Sequence, residues 1–244
     1  VIVDDFIMLG KTVPEPSSDG RVFVCSAGYS PELRQFIRVY PLARSDAPKR
    51  WSVSRVPLER NPKDSRPESW KLAGDRRPGQ HQTINAVFST YDKIKGFEQG
   101  EILENAPARV ESIAEANQRR LSLAIIKPSY VPTITMEHNA QSPDSPQLRL
   151  FDDGLTPQEG ARRFPFMPRI TFGDTHGTHR LMLRDWGCYE LMRKHPEHTH
   201  DMDNALSLGS DSMLLVGNLN RHRTSWLVIS VLNIASSQMR LEVA

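Results

Sequence analysis

The sequence predicts an α+β fold dominated by strands. The first part should be β-rich, a bent sheet or partly open barrel, and a smaller mixed C-terminal part should end in a β-hairpin. Three observations carry this. Short runs rich in β-branched and aromatic residues recur through residues 6–61, separated by loops bearing Pro, Ser and Gly. Two later stretches place apolar residues at helical spacing. Two strongly apolar runs near the end flank a polar tip.

The elements follow in order. "FIMLG" (6–10), "RVFVCSA" (21–27) and "QFIRVYPL" (35–42) read as strands, with "PEPSSDG" as the loop between the first two. "WSVSRVPLERN" (51–61) alternates Trp51, Val53 and Arg55 until Pro57, which predicts an edge strand because proline donates nothing to a central ladder. "KLAGDRRPGQHQT" (71–83) reads as loop. "APARVESIAEANQRRL" (106–121) predicts an amphipathic helix, with Pro107 in the first turn and Val110, Ile113 and Ala114 on one face. Extended chain resumes over 121–136, and the polar, aperiodic stretch 137–154 reads as a linker or mobile loop. "PRITFGD" and "HRLMLR" follow as extended segments. A helix then starts at Asp185 as N-cap, buries Trp186, Tyr189 and Met192, and stops at Pro196. "SMLLVG" (212–217) and "SWLVISVLNI" (225–234) form the closing hairpin. The expected organisation is a basic lobe with one helix over 1–136, the linker 137–154, and an α+β lobe over 155–244.

Composition narrows the function classes. Hydrophobic residues at 38% and charged residues at 25% fit an ordinary globular chain. No apolar run approaches the roughly 18 residues of a bilayer span, so no membrane partner is expected. The opening "VIVDDFIMLGK" lacks the basic flank and long apolar stretch of a secretory leader. Cys25 and Cys188 are the only cysteines and form no paired motif, which argues against a disulfide framework and for a cytoplasmic location. Cys25 sits inside a strand with no histidine nearby, so a thiol mechanism is not expected.

The net charge of +2 conceals an asymmetry. Residues 21–77 carry thirteen Lys or Arg against six acids, a local +7, whereas residues 97–117 carry one Arg against five Glu. A local cationic surplus attracts phosphates by Coulomb force and counterion release. Within it, "RNPKDSRPESW" (60–70) sets Arg60, Lys63 and Arg66 around two prolines, with Trp70 as an aromatic plane for a base. Arg34, Arg38, Arg50 and Arg55 lie on the neighbouring segments. The hairpin tip adds Arg221 and Arg223. These ten residues are the expected nucleic-acid contacts.

A second cluster lies in "FGDTHGTHRLMLRDW" (172–186) and "HPEHTHDMD" (195–203). If a metal is bound, Asp174, His176, His179, His195 and His198 are the candidate ligands, since imidazole and carboxylate suit zinc and its neighbours. No known zinc spacing is present, and a helix cap at Asp185 with histidine at the helix end accounts for much of the pattern. No catalytic residue and no cofactor is therefore expected, with a divalent metal as the exception.

Several stretches resemble an uncharacterised bacterial protein family. "GKTVP", "VCSAG", "FIRVYPL" and "DSRPESW" are similar to its opening elements, and "RLF", "FPFMPRITF", "HGTH", "RDWG" and "LLVGN…SWLVISVL" to its later ones. Family members carry a Cys-rich turn ending in Cys-x-Gly-His and then Asp-Trp-Glu. Here His176 stands for the second cysteine, His179 keeps the histidine, and Gly187 replaces the glutamate. The resemblance implies one compact architecture and a divergent member that has lost part of any metal shell.

The leading expectation is a nucleic-acid-binding module, DNA or RNA, acting as a non-catalytic subunit beside other proteins in a bacterial assembly for DNA processing or defence. The alternatives are a metal-dependent hydrolase or nuclease built on the 174–203 cluster, and an interaction scaffold using the acidic 97–117 region and the apolar hairpin.

Overall fold

The computed structural model describes residues 1–16, 22–43, 46–74, 88–139 and 164–234. The described residues are 48% strand and 17% helix, with a closed five-stranded barrel-like sheet first and a smaller mixed part after it, so the strand-dominated α+β class holds.

The barrel is built from β1 (Ile2–Lys11), β3 (Val22–Ser30), β4 (Gln35–Leu42), β5 (Ser52–Arg60) and β6 (Ser69–Leu72). Their order is β1-β3-β4-β6-β5, and β5 pairs back onto β1. All neighbours are antiparallel except β4 and β6, where Arg38 faces Ser69 in a parallel pair. Leaving aside the short β2 (Glu15–Pro16) beside β3, this is the connectivity of an OB-fold, a five-stranded Greek-key barrel. Register shifts at Met8/Gly10 in β1 and at Val24/Ser26 in β3 supply the extra residues that let the strands bend into closure. The period of two is plain. Phe6, Met8, Ile37, Val39, Val56 and Leu58 fill the interior with Trp70, while Ile7, Leu9, Phe36, Trp51 and Val53 point outward.

β5 is not an edge strand. It pairs with β1, with β7 (Ser89–Lys93) on its other side at Val53 and Ser54, and with β6 at its end over Leu58–Arg60. Pro57 is accommodated because it lies at the end of the residues paired with β1, opposite Ile2, and its carbonyl accepts the Ala73 N–H.

A second sheet, β14-β13-β9-β8, lies over the barrel exterior, using β8 (Arg109–Val110), β9 (Leu123–Ile126), β13 (Ser212–Asn218) and β14 (Trp226–Asn233). It thus joins strands from before and after the 137–154 stretch, of which Glu137 and His138 end a strand and residues 140–154 lie outside the described residues. Leu123, Ile125, Met213, Leu215 and Ile229 pack on the barrel; Ala124, Ile126, Leu214, Val216 and Val228 pack the other way. Being buried on both faces explains why these strands read as unbroken apolar runs. Gly10 makes the close approach possible: a Cβ there would lie 2.5 Å from Ser230 Cβ.

The outer layer holds a three-stranded sheet, β10 (Thr133–His138), β11 (Phe166–Asp174) and β12 (Gly177–Met182), and helix α3 (Trp186–Lys194). Asp185 caps α3 by accepting the Gly187 N–H, and Trp186, Tyr189 and Met192 are buried as their spacing predicts. Residues 106–121 are not one helix. A short helix, α1 (Phe97–Glu104), precedes this stretch, and within it only Ile113–Gln118 is helical, as α2. Val110 pairs in parallel with Ile126, and Ser112 then caps α2 by accepting the Glu115 N–H. Among the described residues no helix is long and apolar enough to cross a membrane.

Candidate nucleic-acid interface

The β5–β6 connection, residues 61–68, is fixed from within. Asn61 Oδ1 accepts the Lys63 N–H at 3.1 Å, an Asx turn suited to the proline that follows Asn61. The Asp64 carboxylate accepts from the Arg66 backbone N–H, the Arg66 guanidinium and Ser69 Oγ. Arg66 in turn donates from Nη1 to Asn218 O at 2.7 Å, tying the connection to the end of β13. Burial alone would raise the Asp64 pKa, but the Arg66 and Ser69 bonds outweigh it and hold the carboxyl below its ordinary range. Glu68 also turns inward, accepting from Ser122 N and Oγ.

The hairpin tip meets this connection. Arg223 Nη2 donates to Ser65 Oγ at 2.9 Å, and Asn220 Nδ2 to Lys63 O at 3.4 Å. Asn218 Nδ2 donates to Leu121 O, which brings in the turn after α2 and the exposed Arg120. The result is one rim on which Arg60, Lys63, Arg120, Arg221 and Arg223 are exposed, while both acids of the connection are buried. Among the described residues none of those five has a carboxylate partner within 4.0 Å. Arg60 lies 4.0 Å over the Trp70 ring and donates to Pro67 O, so one face of its guanidinium covers the indole. Trp70 is buried beneath it and is not an exposed stacking plane.

The remaining expected contacts go elsewhere. Arg38 is buried between barrel and second sheet, donating to Ser122 O at 2.7 Å and to Cys25 Sγ at 3.3 Å. Arg50 pairs with Asp185, and Arg55 with Asp4 in an exposed pair. Arg34 is exposed on the β3–β4 turn. It precedes Gln35, whose amide donates to the same Pro67 carbonyl that Arg60 uses. Of the ten residues, Arg60, Lys63, Arg66, Trp70, Arg221 and Arg223 come together, with Arg66 and Trp70 as internal supports. Arg120 was missed; its signal is the doubled arginine of "NQRRL" just beyond α2.

Residues 4–96 match the model of a domain of unknown function, DUF8758. The DUF8758 match spans β1 to β7, ends before α1, and covers less than half of the 244-residue chain. It agrees with the resemblance to an uncharacterised family. No curated protein and no solved structure matches the chain. Barrel and β5–β6 connection thus lie within DUF8758, whereas the hairpin tip and Arg120 lie outside it.

The His/Asp cluster divides in two. At the β11–β12 turn, the Asp174 carboxylate accepts from Ile113 N, His176 N and Gly177 N and lies 2.7 Å from His179 Nε2. Burial pushes its pKa up, but the Ile113 and His176 N–H bonds and His179 bring it below the ordinary value. Asp174 thereby closes a turn and receives the first backbone N–H of α2, so both of its oxygens are engaged. The His176 ring bonds Thr175 Oγ1 instead. His195 and His198 lie apart from these, beside Glu197 beyond α3. Burial raises the Cys188 thiol pKa far above its ordinary value, which removes it from thiolate chemistry.

Proposed function

We propose that this chain is a nucleic-acid-binding module that holds a phosphate backbone along the rim where the 61–68 connection meets the β13–β14 tip. It acts as a non-catalytic subunit of a larger bacterial assembly, alongside other proteins. One observation carries the reading: Asp64 and Glu68 turn inward onto Arg66 and Ser122, while Arg60 at the end of β5 and Lys63, Arg221 and Arg223 on the adjoining loops remain exposed. A basic rim stripped of its local carboxylates keeps its full attraction for phosphate. Guanidinium groups add paired hydrogen bonds, and the outer face of Arg60 offers a plane for an unpaired base.

The barrel connectivity lends support by analogy only. OB-folds bind oligonucleotides through one sheet face and two loops, and the connection between the fourth and fifth barrel strands is one of those loops. Here the second sheet covers the face, and the loop remains open.

The test is fluorescence anisotropy of labelled DNA and RNA oligonucleotides with the full chain at low salt. The expected result is saturable binding that falls steeply with salt and is lost in an Arg60→Glu/Arg223→Glu variant. No affinity at low salt for any DNA or RNA rejects the proposal.

A further inference from the structure

We propose that His195, Glu197 and His198 form a surface site for a zinc-class divalent metal, separate from the basic rim. The three residues bring one ligand atom each to within 4.8 Å of one another. Four-coordinate zinc with bonds of about 2.0–2.1 Å needs its donors about 3.3–3.4 Å apart, a closing of up to about 1.5 Å that rotation of these exposed side chains would have to supply.

The backbone explains why these donors meet. Helix α3 ends at Lys194 with His195 as its C-cap, whose N–H donates to Leu191 O, and Pro196 opens a 3-10 helix over Pro196–His200. His195 is the N-cap of that 3-10 helix, its carbonyl accepts the His198 N–H, and the two rings lie side by side with centroids 5.6 Å apart. The His198 N–H to His195 O and Asp201 N–H to His198 O bonds, with Thr199 Oγ1 donating to Pro196 O at 2.6 Å, hold the turn. Glu197 already lies 3.2 Å from His195 Nδ1. The C-terminal end of α3 favours a cation, and the nearby Arg193 and Lys194 are each paired with Glu190.

Two imidazoles and one carboxylate select zinc, nickel or copper over magnesium and calcium, and water completes the shell of an exposed ion. The Asp174–His179 pair is a poor competitor because Asp174 is occupied by three backbone N–H groups.

The experiment is calorimetric titration of chelator-stripped full chain with zinc chloride. We expect one equivalent bound. Affinity should fall by more than the ~10–100-fold typical of outer-shell changes in His198→Ala and in His195→Ala. Glu197→Gln should show a smaller loss, and His179→Ala unchanged uptake. Absence of zinc uptake, or uptake equal to wild type in the His195→Ala/His198→Ala double variant, overturns the site. All three residues are exposed, so these variants fold, and nucleic-acid affinity reads out separately.

Discussion

The Arg50 guanidinium holds both oxygens of Asp185, at 3.0 and 2.9 Å, across 135 residues of sequence. The pair crosses the seam between the barrel and the rest of the protein. Asp185 also accepts from Gly187 N, Ser230 Oγ and Val231 N, while Arg50 Nη1 donates to Val231 O.

Asp185→Ala should therefore destabilise the fold by about 3 kcal/mol or more, because it strips a partly buried guanidinium and three further donors of their acceptor. Arg50→Ala should cost less, about 1–2 kcal/mol, since the carboxylate keeps its other bonds. Urea unfolding of the two variants checks both the size and the order. An Arg50 variant more damaged than the Asp185 variant contradicts the assignment.

Arg66 acts as a support of the rim. Arg66→Gln should lower stability by about 3 kcal/mol by leaving the buried Asp64 without its counter-ion. Lys63→Ala should leave the melting temperature unchanged. Thermal melts of the two variants separate the roles.

Salt titration addresses the exposed cations. If Lys63, Arg221 and Arg223 each neutralise one phosphate, each alanine substitution should reduce the slope of log affinity against log salt by about 0.7–0.9. Arg55→Ala, whose partner is Asp4, should leave the slope as it is.

Acid sensitivity follows from Asp64 and Asp174, whose folded pKa values both lie below the ordinary one. Their stabilisation is present in full above the unfolded pKa of about 3.9 and is lost as pH falls through the depressed folded values. Denaturant midpoints should thus hold from pH 7 to pH 5 and drop below pH 4. Asp174→Asn should flatten part of that drop.

The strands were legible as runs rich in β-branched and aromatic residues, the closing hairpin because both of its strands are buried on both faces and so stay apolar around a polar tip, and Asp185 as a cap because local chemistry decides it. Pro57 misled because whether a proline is tolerated depends on which neighbour its strand faces, and that is set by Ile2 and Ala73. Helical spacing over 106–121 was overridden when Val110 paired with β9. Arg38 and Arg66 read as surface cations because a sequence shows charge and not burial. Their acceptors, Ser122 O and Asn218 O, lie 84 and 152 residues away. The meeting of the 61–68 connection with the hairpin tip was invisible for the same reason, although both halves were recognised separately.

Ile7, Leu9, Phe36, Trp51 and Val53 form an apolar outer wall on the barrel, roofed by strands from beyond residue 96. Cut out alone, the 4–96 span would present that wall to water and self-associate. Any protein that keeps these positions greasy must bring its own roof or borrow one from another chain, so the boundary at which sequence likeness ends is not the boundary of a unit able to stand alone.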